Sequence, residues 1–170
     1  MSARALPYVD PLTPRGLGYR TYGRLVGTRL IGWLSRRIAW KLDPHLMRLT
    51  GGRVGMGRPF PTAVLETRGA RTGRPRHNGV IYFHDGERVI IIASKLGLPE
   101  HPAWLHNLLA NPDVKLDAQP FRAEVVDDRD ACARLWQLAD RVFPAYATYR
   151  ERAEHAGRTI PIVQLIPRRP

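Results

Sequence analysis

The residues with the most chemistry in them lie between Leu65 and Asn78, in the run Leu-Glu-Thr-Arg-Gly-Ala-Arg-Thr-Gly-Arg-Pro-Arg-His-Asn. Four arginines, two threonines, two glycines and a proline fall here, and from Thr67 onward there is no acidic residue. Gly69 and Gly73 admit positive φ, which lets main-chain N–H groups turn toward a ligand. Arg71, Thr72, Arg74 and Arg76 add charged and hydroxyl donors suited to a phosphate or a carboxylate. The run reads as an anion-holding loop or, more plainly, as a solvated basic hairpin. β-prone stretches at 63–66 and 79–84 place it between two strands.

The charge distribution favours a local device over a uniformly basic surface. Residues 1–76 carry 15 Arg and Lys against 3 Asp and Glu, whereas residues 77–170 carry 12 against 12. The whole excess therefore sits in a basic N-terminal segment and the arginine loop. A single cysteine, Cys132, excludes an internal disulfide, and the six histidines show no metal-ligand spacing. No metal is expected. No apolar run approaches a membrane span, and the first twenty residues lack the apolar core of a secretory signal, so the expected location is cytoplasmic.

The elements that must position the loop follow from periodicity. Residues 1–20 are rich in proline and glycine and read as an irregular arm. Residues 22–42 read as an amphipathic helix with a stripe of Ile31, Leu34, Ile38 and Leu42. Arg29, Arg36, Arg37 and Lys41 flank that stripe, with Trp33 and Trp40 nearby. This fits a helix lying on an anionic membrane surface, or one packed on its own domain or a partner subunit. A short helix at 44–49 follows.

The β-rich part begins near residue 61. Asp85-Gly86 predicts a hairpin, and the β-branched run in 88–93 predicts a strand buried on both faces. Helices are predicted from Pro102 through Leu109, over 130–143 with a stripe of Ala131, Leu135, Leu138 and Val142, and over 145–155. Strands are predicted at 114–118 and 121–126, turning at Gln119-Pro120, and at 160–166. Cys132 and Trp136 are expected in the core. The expected fold class is α+β: a barrel of about six antiparallel strands with three to four helices, plus an N-terminal helix. Residues 1–57 are expected to form the basic arm and helix, and residues 58–170 the barrel, which the resemblance below makes the cofactor-binding domain.

Three blocks then stand in order: Gly69 to Asn78, Ala93-Ser-Lys95, and His101-Pro-Ala-Trp-Leu-His-Asn-Leu-Leu-Ala-Asn-Pro112. Together with Arg158-Thr-Ile-Pro-Ile-Val, this set resembles the deazaflavin-dependent nitroreductase and quinone reductase family of actinobacteria. That family has the split-barrel fold of the flavin and deazaflavin oxidoreductases. The resemblance covers roughly residues 65–167. It implies coenzyme F420, whose tail carries a phosphodiester and several glutamates.

By resemblance, Arg71, Thr72, Gly73, Arg76 and Asn78 contact the phosphate. Lys95 contacts the tail or phosphate, Ser94 lies beside the reactive ring, and Trp104 and Asn107 line the cofactor groove. Tyr146 and Tyr149 match tyrosines that cover the deazaflavin and meet substrate, and their i, i+3 spacing puts both on one helix face. Phe143 stands where a further tyrosine is familiar. Ala70, Ala103 and Gly79 also depart from the family pattern.

The implied activity is hydride transfer from reduced F420 to a quinone or nitroaromatic acceptor. Tyr146 and Ser94 serve as hydrogen-bond donors to the oxygen that gains charge, and Tyr149 stands beside them. The expected partners are that small molecule and an anionic inner membrane surface, with a homodimer as one assembly, and not nucleic acid. Two alternatives remain at this point: an FMN-binding split-barrel oxidoreductase, and a non-enzymatic basic module for anionic lipid or nucleic acid. Against a base-stacking platform, no aromatic residues interleave with the arginines of the loop.

Overall fold

Six strands close into an antiparallel barrel because their alternating residues feed two separate cores. The computed structural model describes residues 6–26 and 60–168. Helix α1 (Leu17–Val26) precedes the strands β1 (Thr62–Arg68), β2 (Pro75–Asp85) and β3 (Arg88–Ile92). A 3₁₀ turn (Lys95–Gly97) leads to helix α2 (Ala103–Ala110), then β4 (Asp113–Leu116) and β5 (Gln119–Val125). Helices α3 (Arg129–Val142) and α4 (Ala145–His155) precede β6 (Ile162–Pro167). The ring runs β1-β2-β3-β6-β5-β4 and closes on β1, as expected of the barrel.

Strand β3 shows the logic. Val89 and Ile91 point into the barrel with Leu65, Tyr82, Leu116 and Leu165. Ile90 and Ile92 point outward beneath the helices with Phe83, Val142, Tyr146 and Ile162. The β-branched run is therefore buried on both faces, with a period of two.

The β1–β4 joint is the shortest, with two paired positions, Leu65 to Leu116 and Glu66 to Lys115. Asp117 finishes it: its N–H donates to the Val64 carbonyl (3.0 Å) and its Oδ1 accepts from the Val64 N–H (2.8 Å).

Two expectations are corrected. The β4–β5 turn is at Asp117-Ala118, both left-handed (φ 45° and 70°), and not at Gln119-Pro120. Pro120 instead pairs with Lys115 near the start of β5, a position that tolerates a missing N–H. Strand β2 begins at Pro75, four residues earlier than expected, so Arg76, His77 and Asn78 belong to a strand rather than the loop. Arginine, histidine and asparagine have weak β-propensity, and pairing with the well-formed β1 overrides it.

The arm is irregular as expected as far as Gly16, where helix α1 begins sooner than the sequence indicated. It is also fastened. The Tyr82 hydroxyl donates to the Pro7 carbonyl (3.0 Å), the Val9 N–H donates to His84 Nδ1 (3.0 Å), and the His84 N–H donates to the Val9 carbonyl (2.9 Å). Burial holds the His84 imidazole below its ordinary pKa, which keeps Nδ1 free to accept. Helix α1 seats on α4 at Gly23, where a Cβ would lie 2.7 Å from Pro144 Cδ.

The predicted helix at 22–42 falls within the described residues only over 22–26. Its stripe, its tryptophans and the helix at 44–49 lie outside them. No described helix is long and apolar enough to cross a membrane.

Helix α3 is capped by Asp128, whose Oδ1 accepts from the Ala131 N–H (2.7 Å), and buries Leu135, Ala139 and Val142. Cys132 and Trp136 pack at the edge of the outer core. Helix α4 matches its expected bounds.

Candidate functional site

The arginine loop is a tight closed turn. The Gly73 N–H donates to the Gly69 carbonyl (2.8 Å), and the Gly69 N–H donates to the Arg74 carbonyl (2.9 Å). Gly73 is left-handed (φ 65°), and a Cβ on Gly69 would lie 3.0 Å from Thr72 Oγ1. Arg71, Thr72, Gly73, Arg74 and Arg76 are all exposed. No carboxylate pairs with Arg71, Arg74 or Arg76 among the described residues. Cross-strand partners share a sheet face. Arg76, opposite Thr67, and Asn78, opposite Leu65, therefore lie on the face that looks into the barrel. The acid nearest in sequence, Glu66, sits on the other face and is already bonded to Lys115 (3.1 Å) and His77 (3.2 Å). Those bonds hold its carboxyl below the ordinary range.

Helix α2 carries this loop. Asn107 Oδ1 accepts from the Ala70 N–H (3.0 Å), while its Nδ2 donates to Thr67 Oγ1 (3.2 Å). Both ends of the side-chain amide are thus committed to shaping the loop. Trp104 is 6 % exposed and packs in the barrel core with Leu105 and Leu108. The structure therefore places Trp104 in packing and Asn107 in support of the loop. Thr67, 1 % exposed, was missed by the sequence reading. Its one signal is a hydroxyl at an inward position of β1.

The second cluster forms where β3 ends. Lys95, Leu96 and Gly97 are successive left-handed residues (φ 45°, 59° and 74°). Such conformations cost about 1–2 kcal/mol for a side-chain-bearing residue, so the surroundings must hold them. Arg158 does so. It is 6 % exposed, and its Nη2 donates to the Ser94 carbonyl. Its Nη1 lies within reach of the carbonyls of Ala93 (3.4 Å) and Glu100 (3.2 Å) and of His101 Nδ1 (3.3 Å).

One guanidinium thus closes residues 93–101 into a ring, and it accepts burial to do so: desolvation pulls its pKa below normal, and Nε has no partner. Because the guanidinium only donates, His101 must offer an unprotonated Nδ1. Burial and the Arg158 charge hold the His101 pKa below its ordinary value. Lys95 Nζ meets Glu100 Oε2 (3.2 Å) and the His101 carbonyl (3.3 Å).

Helix α4 closes over this turn. A Cβ on Gly97 would lie 2.5 Å from the Tyr149 carbonyl. Tyr146 and Tyr149 are 3 % and 2 % exposed, with ring centroids 6.4 Å apart. Phe143 sits edge-on to Tyr146 (5.0 Å) and to Phe60 (4.7 Å). Tyr19 of α1 packs on Phe60 (4.9 Å), and its hydroxyl donates to the Val142 carbonyl (2.6 Å). Burial pushes the Tyr149 phenol up to about 12 and the Tyr146 phenol higher. Both therefore stay neutral at physiological pH.

The two clusters meet through one element: α2 starts at the His101–Arg158 contact and reaches the arginine loop at Asn107. Residues 40–167 match the model of the family described as F420H(2)-dependent quinone reductase. The chain belongs to that family. It is 38% identical over 144 residues to an F420H(2)-dependent quinone reductase of Mycobacterium tuberculosis, covering 78% of this chain and 95% of that protein.

Among solved structures, an F420-H2 dependent reductase aligns with a TM-score of 0.53 at 28% identity, covering 62% of this chain and 93% of that one. A chain described as a domain-swapped dimer aligns with a TM-score of 0.56 at 25% identity, covering 78% of this chain and 96% of the other. The family member described here is therefore an F420-dependent oxidoreductase with a split-barrel fold, and the non-enzymatic alternative gives way. The donor set fits the cofactor: its tail carries a phosphodiester and carboxylates, and the loop offers exposed guanidiniums without counter-ions around a left-handed glycine.

Proposed function

We propose that Arg71, Thr72, Gly73, Arg76 and Asn78 hold the anionic tail of F420, with Lys95 as a further contact. Ser94, Tyr146 and Tyr149 face the reacting end. The observation that carries this reading is α2, which fixes the unpaired arginine loop and the strained Ser94 turn to one rigid element. Bound F420 in its reduced form supplies a hydride. The residues supply the rest. The loop fixes the tail, the turn and the tyrosine cluster exclude water, and the Tyr146 and Ser94 hydroxyls donate to the acceptor oxygen as it gains charge.

A quinone is the acceptor class that the family name gives. Nitroaromatics are further acceptors of the same pocket, since a nitro oxygen gains charge in the same way. The basic N-terminal segment brings the enzyme to the cytoplasmic face of an anionic membrane, and a homodimer is its assembly. The M. tuberculosis relative and the domain-swapped neighbour support the activity and the assembly respectively.

Tryptophan quenching by F420, FMN and an oligonucleotide tests the cofactor, with tight quenching expected from F420 alone. Stopped-flow oxidation of reduced F420 by menadione then tests the hydroxyls. Tyr146→Phe is expected to slow turnover about a hundredfold with little change in F420 affinity. A wild-type rate in Tyr146→Phe combined with Ser94→Ala would remove both hydroxyls from the mechanism.

A further inference from the structure

A second basic feature lies away from the arginine loop. A cleft of about 620 Å³ opens between the arm, α1 and the α3–α4 junction, and Arg15, Arg20, Arg24 and Arg141 line it together with Asp140 and Pro144. Arg20 and Arg24 are one turn apart on α1, so they share a face. Arg15 enters from the arm with its guanidinium over the Tyr19 ring (4.7 Å), and its Nε is buried without a hydrogen-bond partner. Arg141 comes from the last turn of α3.

No carboxylate pairs with any of the four among the described residues. The single acid of the lining is taken: Arg150 grips both Asp140 oxygens (3.0 and 2.7 Å) and stacks on Trp136. Residues 27–59 contain one acidic residue, Asp43, so the rest of the basic half is equally poor in counter-charge.

Four like charges gathered around one cavity define a site for an anion from outside the chain. We propose that this cleft binds a phosphate-class oxyanion, as free phosphate or as the phosphate of a lipid headgroup. Four arginines against one committed aspartate exceed what a single carboxylate neutralises. Guanidinium forks also match the several acceptor oxygens of a tetrahedral anion. None of the residues lining it is among those proposed to contact F420.

The test titrates inorganic phosphate into the full chain by calorimetry, at constant ionic strength against chloride. Parallel flotation uses phosphatidylcholine vesicles with and without phosphatidate. Arg20→Gln combined with Arg24→Gln is expected to weaken phosphate or phosphatidate binding at least about tenfold. Arg71→Gln combined with Arg76→Gln removes the loop's own phosphate contacts, so every cleft variant is compared within that background, and the binding that remains there belongs to the cleft. Arg141→Gln, on a different helix, carries the same expected loss and guards against a local effect on α1.

Binding of phosphate without vesicles identifies a free ligand. Binding of phosphatidate vesicles without free phosphate identifies a headgroup. Wild-type protein that binds neither, or cleft variants that bind as tightly as their background, overturns the proposal.

Discussion

Replacing Arg158 with methionine removes the guanidinium that closes residues 93–101 while keeping an unbranched side chain in its place. The Ser94 carbonyl loses one of its two donors and keeps the Gly97 N–H (3.0 Å). The three groups around Nη1, at 3.2 to 3.4 Å, share a single nitrogen, so together they count for about one further hydrogen bond. A hydrogen bond to a charged group contributes about 1.5–3 kcal/mol, so the loss of two costs up to about 6 kcal/mol. Against that stands the burial of the guanidinium itself, with Nε unpartnered, which methionine avoids.

The net loss expected is about 2–3 kcal/mol, read as a lower urea midpoint at unchanged slope. The loss has an address. The left-handed Lys95 and Leu96 relax, and amide exchange accelerates within 94–101 more than in the barrel strands. F420 affinity falls with it, while Arg158→Lys restores part of both, since an ammonium reaches one or two of these oxygens but not all. Wild-type exchange across 94–101 in a folded Arg158→Met protein would refute the reasoning, whatever the change in global stability.

Other outcomes follow from the same geometry. Arg71→Ala with Arg76→Ala is expected to weaken F420 about ten- to a hundredfold with little effect on the thermal midpoint, because both side chains are exposed and unpaired. Asn107→Ala leaves the Ala70 N–H and Thr67 hydroxyl without their partner, costs about 1–2 kcal/mol, and raises the F420 dissociation constant through loop disorder, seen as faster exchange at 69–74. Gly97→Ala drives a Cβ against the Tyr149 carbonyl at positive φ and is expected to cost more than about 2 kcal/mol by urea unfolding.

The His101 pKa is depressed in the fold, so its contribution is present above the ordinary histidine value of 6.5 and is lost as pH falls through the lower folded value. Urea midpoints of wild type and His101→Gln, measured between pH 7.5 and 5, should converge toward the acid end.

The barrel was legible because burial on two sides leaves a blunt signature: the run Val89 to Ile92 has no polar position to spare. The hairpin at Asp85-Gly86, the Asp128 cap and the bounds of α4 were readable for similarly local reasons. The turn at Asp117-Ala118 was not, because alanine gives no sign of a left-handed backbone and the adjacent proline drew the prediction. Arg76 and Asn78 looked like loop residues because strand pairing, rather than their own propensity, decides their conformation.

In the site, the exposed arginines announced themselves by type and crowding. Their supports did not. Thr67, Arg158 and His101 act through contacts that span 40 or more residues, and no local pattern encodes such a distance.

The joint between β1 and β4 has a consequence for how the barrel yields. A closed ring offers no strand edge to a neighbour, so recruiting a partner's strand requires a seam to part. The joint with the fewest main-chain rungs opens first. Here that joint is held by two pairs and by the doubled grip of Asp117 on Val64. It borders the strand that leads into the arginine loop, so any exchange of strands between two copies begins beside that loop, and an anion held there would act as a brake on it.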